Sequence, residues 1–125
     1  MKNILYAGLL FLNGCAITTQ ERIETLGYKT EFGEDNQTEI QLIEDAAKTL
    51  SYLRNEPNWR NSHEQYRGIE EACDFADRDE NKIITSIEAV GAARFSLVRA
   101  HKLPPENLHY TWEQTGELMN TINEE

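Results

Sequence analysis

The sequence predicts a small all-α protein: a four-helix domain over residues 36–125, preceded by an N-terminal leader over 1–14 and a polar tether over 15–35. Three observations carry that expectation. Apolar residues recur at three- and four-residue steps in several windows after Thr38, which is the period of a helix with one buried face. No stretch alternates as a half-buried strand does, short pairing at Lys82–Ile84 apart. Between two of the helical windows lies a loop dense in short oxygen-bearing side chains, Asp77 to Glu88, DRDENKIITSIE.

The leader comes first. Met1-Lys2-Asn3 is short and basic, Ile4–Leu12 is mostly apolar, and Leu12-Asn13-Gly14-Cys15 follows. The apolar run is far short of the ~20 residues that a spanning helix needs. A basic start, a short apolar stretch and small residues at its end read as a secretory signal. The LNGC end resembles the lipobox of bacterial lipoproteins. That resemblance implies cleavage before Cys15, acylation of its thiol, and attachment to a lipid membrane in the cell envelope, on its periplasmic or outer face. Ala16 after the cysteine implies outer-membrane retention in a Gram-negative host. The segment Ala16–Gly33 reads as a tether, with a short helix over Gln20–Leu26 and punctuation by Gly27 and Gly33.

The first domain helix runs from about Thr38 to Arg54, with Ile40, Ile43, Ala47, Leu50 and Leu53 inward and Asn36 or Thr38 as its cap. Asn55-Glu56-Pro57-Asn58 breaks it. The second starts at Asn58 or Ser62 and reaches Ala76, turning Tyr66, Ile69, Ala72, Cys73 and Ala76 inward. The third spans about Ser86–Lys102, with Ile87, Gly91, Phe95 and Val98 on its stripe. Pro104-Pro105 ends it, because a residue before proline is pushed out of helical geometry. The last starts near Pro105 and carries Leu108, Trp112, Thr115, Met119 and Ile122.

The loop between the second and third helices places oxygen ligands at the spacing of a calcium site. Asp77, Asp79 and Asn81 occupy positions 1, 3 and 5 of twelve. Ile83 offers its carbonyl at position 7, Thr85 stands at 9, and Glu88 closes the loop as a bidentate ligand at 12. Calcium takes six to eight hard oxygen ligands, which suits this set. Over Gln65–Phe95 the chain resembles an EF-hand, with Ile84 at position 8 as the apolar brace. Lys82 stands at position 6, where that family places a glycine for a sharp turn, and Ala89 at 13 replaces a larger aliphatic residue. Thr85 and Glu88 also form a capping box for the following helix. The stretch Gly33–Glu44, with Asp35 and Glu44, is read either as a degenerate partner loop or as a capped helix start, the latter fitting better.

Composition narrows the function classes. The formal net charge is −10, so phosphate backbones are poor partners and no nucleic acid is expected. Of the two cysteines, acylation of Cys15 would leave Cys73 alone, as a small buried hydrophobe. His63, His101 and His109 lack a metal-ligand spacing, and no serine or cysteine has the context of a nucleophile, so no enzyme is expected. The resemblances together imply a calcium-binding lipoprotein. The alternative is a non-enzymatic envelope lipoprotein, host- or phage-encoded, that binds a protein partner and keeps only a vestige of the loop.

Overall fold

The computed structural model describes residues 17–33, 36–54, 59, 61–100 and 108–124. The leader, Cys15, Asp35, the Asn55–Asn58 break, His101 and the Pro104-Pro105 stop lie outside them. Among the described residues the chain is all-α with one small sheet. Its elements are α1 (Thr19–Thr25), β1 (Lys29–Glu31), α2 (Gln37–Leu53), α3 (Ser62–Ala76), β2 (Ile83–Thr85), α4 (Ser86–Ala100) and α5 (Trp112–Glu124). None of these helices is long and apolar enough to cross a membrane.

The expected tether is part of the domain. Thr18 and Glu21 form a complete capping box that starts α1. The helix ends in a Schellman motif: Gly27 N–H donates to Glu24 O and Tyr28 N–H to Ile23 O, with Gly27 at φ 98°. Ile23 and Tyr28 are buried in the common core. Few apolar residues mark this segment, so its pattern reads as a linker, but Ile23 within α1 and Tyr28 just past it reach the core. The short helix expected over Gln20–Leu26 is thus present as α1, and with the four expected after Thr38 the described residues hold five helices.

α2 is the central helix, packed by α3 and α4. Ile43, Ala47 and Leu50 are buried as expected, joined by Leu42, Ala46 and Thr49. On α3, Ile69, Ala72, Cys73 and Ala76 face inward, and Asn61 caps its start by accepting from Glu64 N–H. The stripe expected on α4 is wrong. Ile87, Phe95 and Val98 are 45%, 40% and 54% exposed, while Ala89, Val90, Ala92, Ala93, Leu97 and Ala100 are buried. Alanine carries little weight in a search for large apolar residues. Here it forms the contact face, because small side chains let helix backbones approach. α5 begins at Trp112 rather than near Pro105, so Leu108 precedes it. Thr115 is buried, and Leu118, Met119 and Ile122 pack on the core.

β1 and β2 pair in parallel, Lys29 with Ile83, Thr30 with Ile84 and Glu31 with Thr85. The short pairing expected at Lys82–Ile84 thus exists, shifted by one residue. Its partner is β1, upstream of the Gly33–Glu44 stretch, whose later residues form the start of α2.

Candidate metal centre

The acidic loop is built by α3 before it and by β2 and α4 after it. α3 ends at Asp77, whose φ, ψ of −80°, 72° leave helical geometry. The Asp77 carboxylate is buried and organises the turn: Oδ1 accepts from Asn81 N–H at 3.1 Å and Oδ2 from Lys82 N–H at 2.9 Å. Asn81 Oδ1 accepts from Ile83 N–H at 2.9 Å. Ile84 is fully buried and fixes the far side of the loop to the core. Thr85 and Glu88 then close the capping box: Glu88 N–H donates to Thr85 Oγ1 at 3.2 Å, and Thr85 N–H to Glu88 Oε1 at 3.0 Å. Ser86 Oγ donates to Glu39 Oε2 at 2.7 Å, which ties this corner to the start of α2.

Within this frame the carboxylates of Asp77, Asp79 and Glu88 converge. One oxygen from each lies within 4.8 Å of those of the other two. Like charges held this close repel unless a cation joins them, and three hard oxygens in such an array can hold a metal ion. Ligand oxygens on opposite sides of one divalent ion such as calcium stand up to about 5 Å apart, so the set is of a size that one ion can span. Of the other expected ligands, Asn81 and Thr85 stand on the same loop with their oxygens engaged in the hydrogen bonds above, and each such oxygen keeps a second lone pair. Ile83 opens β2.

The backbone of the loop turns sharply at two of its residues. Lys82 has φ 65° and Glu80 φ 58°, both in the left-handed region. A non-glycine residue there costs about 1–2 kcal/mol. The lysine is partly compensated: its Nζ stands 4.5 Å from the centroid of the Tyr28 ring. Tyr28 in turn donates its hydroxyl proton to Asp74 Oδ1. Burial, then the hydrogen bond and charge of Asp74, hold the phenol well above its ordinary pKa, so it stays a donor. Tyr28, Asp74, Asp77, Glu80 and Lys82 line one recess beside the loop.

Sequence reasoning missed Tyr28 and Asp74. The available signal was a glycine helix stop followed directly by an aromatic residue, and nothing local linked it to a loop some fifty residues on. Cys73 is buried as expected, and burial followed by the neighbouring charges of Asp74 and Asp77 pushes its thiol up to about 12. A second unexpected feature is Asp45, buried on α2. It accepts from the backbone N–H of His109 (2.8 Å) and Tyr110 (2.9 Å) and lies 3.0 Å from His109 Nδ1.

Comparison of the chain with protein-family models, with curated proteins and with solved structures finds no match in any of the three.

Proposed function

We propose that this chain is a calcium-binding module, carried on a lipoprotein that Cys15 anchors to a bacterial envelope membrane. The observation that carries the metal reading is the convergence of Asp77, Asp79 and Glu88 on a loop whose backbone already takes a left-handed turn at Lys82. Calcium is favoured over magnesium because the loop offers many oxygens at irregular positions, whereas magnesium demands a tight octahedron. With a lysine at the bend and one loop of this kind, affinity falls in the range of extracellular modules, Kd about 10⁻⁴–10⁻³ M. In that range the ion serves as a strut where calcium is abundant. The anchor rests on the leader sequence: several acyl chains, at about 0.8 kcal/mol per buried CH₂, hold a small domain on a bilayer.

Calorimetric titration of the purified chain with calcium tests the metal reading. Saturable binding abolished by Glu88→Gln is expected, since that change removes the closing ligand. Absence of any heat or thermal shift at ~10 mM calcium, about tenfold above the weak end of that Kd range, overturns it. Cell fractionation of Cys15→Ser tests the anchor, with release of the protein from the membrane as the expected result. A second reading, docking of a protein partner, draws on the apolar stripe Ile87, Phe95 and Val98 that α4 leaves exposed. A calcium-indifferent protein would favour it.

A further inference from the structure

We propose that Lys82 is a built-in competitor for the metal site and that the Tyr28 ring keeps it out. The inference rests on the calcium reading above and concerns what regulates that same loop. Lys82 has two sets of neighbours. Its ammonium lies over the Tyr28 ring, 4.5 Å from the centroid. Its backbone N–H is bonded to Asp77, a member of the carboxylate cluster, and its side chain shares a recess with Asp74, Asp77 and Glu80. The stem of a lysine is long and freely rotatable. Without the ring, the ammonium can turn to the carboxylates with no movement of the backbone and act as a tethered counter-ion. An ammonium turned onto those oxygens occupies what a divalent ion needs, and it repels the ion as well.

Tyr28 is well placed to prevent this, because its position is fixed from three directions. The Schellman motif at Gly27 aims it off the end of α1. Lys29 N–H donates to Lys82 O at 2.9 Å, so the residue after Tyr28 is bonded to the competing lysine's own backbone. The Tyr28 hydroxyl is held by Asp74, at the mouth of the loop. The α1–β1 segment thus acts as a latch: seated, it sequesters Lys82 and leaves Asp77, Asp79 and Glu88 free for metal. Unseated, it hands the lysine to the lone pairs that the backbone N–H bonds to Asp77 and Glu88 leave unused. By linkage, a metal ion that binds the latched form better also stabilises the latch.

Calcium titrations of the full-length wild type, Tyr28→Ala, Lys82→Gly and the double variant form a cycle that isolates this coupling. Tyr28→Ala is expected to weaken calcium binding by about two- to thirtyfold, the equilibrium equivalent of one cation–π contact. In the Lys82→Gly background the same change is expected to cost little, since no competitor remains. Tyr28→Phe keeps the ring and is expected to stay near the wild-type value. Far-ultraviolet circular dichroism of each variant without metal confirms that it is folded, and should Tyr28→Ala unfold, Tyr28→Leu takes its place in the cycle. Equal losses from removing Tyr28 in both backgrounds would overturn the competitor role while leaving the metal site standing. A wild type that ignores calcium would instead remove the reading on which this one rests.

Discussion

Asp45 shows how a single side chain sets the terms for an element distant in sequence. Folding strips its carboxylate of water, which lifts its pKa above the ordinary aspartate value. The hydrogen bonds from His109 and Tyr110 pull in the other direction and offset only part of the lift. A raised folded-state pKa means that the native state holds the proton more tightly than the unfolded chain. The stability so gained is present below the unfolded value of 3.8 and is lost as pH rises through the folded value. Asp45→Asn cannot ionise. It should carry a fixed penalty for one poorer acceptor, about 1 kcal/mol, and it should gain on the wild type as pH climbs above 3.8. Urea melts of both proteins across the acidic range read this directly. A difference that stays flat with pH would mean that the three donors fully offset the burial. His109, exposed on its side-chain edge, contributes as a charged partner only where it is protonated.

At the scale of elements, two helix glycines that look alike in sequence lead to opposite expectations. A Cβ on Gly68 would stand 2.9 Å from the Ala47 carbonyl oxygen and 2.9 Å from the Trp59 ring, because α3 crosses α2 at this point. A Cβ on Gly91, within α4, meets nothing inside 4 Å. Alanine in place of a helix glycine gains about 1 kcal/mol in propensity, whereas overpacking against a fixed backbone costs about 1–3 kcal/mol. Gly68→Ala should therefore lower the denaturation midpoint, and Gly91→Ala should raise it. Stabilisation of both would mean that α2 and α3 move apart at Gly68 at little cost. The same contrast explains what the sequence made legible. α2 and α3 bury large residues on one side, so Ile43, Leu50, Ile69 and Cys73 were readable from their spacing. α4 is apolar nearly all round, and its buried face is mostly alanine with Val90 and Leu97 between, so a stripe of large residues falls as readily on the exposed Ile87, Phe95 and Val98. The acidic loop was legible because its converging carboxylates are local in sequence. Its strand partner was not, since the pairing of Lys29–Glu31 with Ile83–Thr85 depends on where a short helix ends, and no periodicity in residues 19–31 announces it.

The molecule as a whole carries 22 acidic against 12 basic residues, and this imbalance gives salt and calcium separable effects. Self-repulsion among surface carboxylates weakens the compact state, and added salt screens it. The metal-free protein should therefore become more stable as sodium chloride rises from ~0.01 to ~1 M, over which the Debye length falls from about 30 to about 3 Å. The same screening weakens the attraction between an acidic loop and a divalent cation, so the apparent calcium affinity should fall across that range. On the proposed calcium reading, an ion bound only to the native state would add about 2.7 kcal/mol of stability at a hundredfold excess over Kd, on the order of 10–20 °C in melting temperature for a domain of about 100 residues. Glu88→Gln separates the two mechanisms: it should keep the response to sodium chloride and lose the response to calcium. If the variant instead retained the calcium shift, the ion would be acting as diffuse charge over the whole surface. The converging carboxylates of Asp77, Asp79 and Glu88 would then be one acidic patch among others rather than a centre.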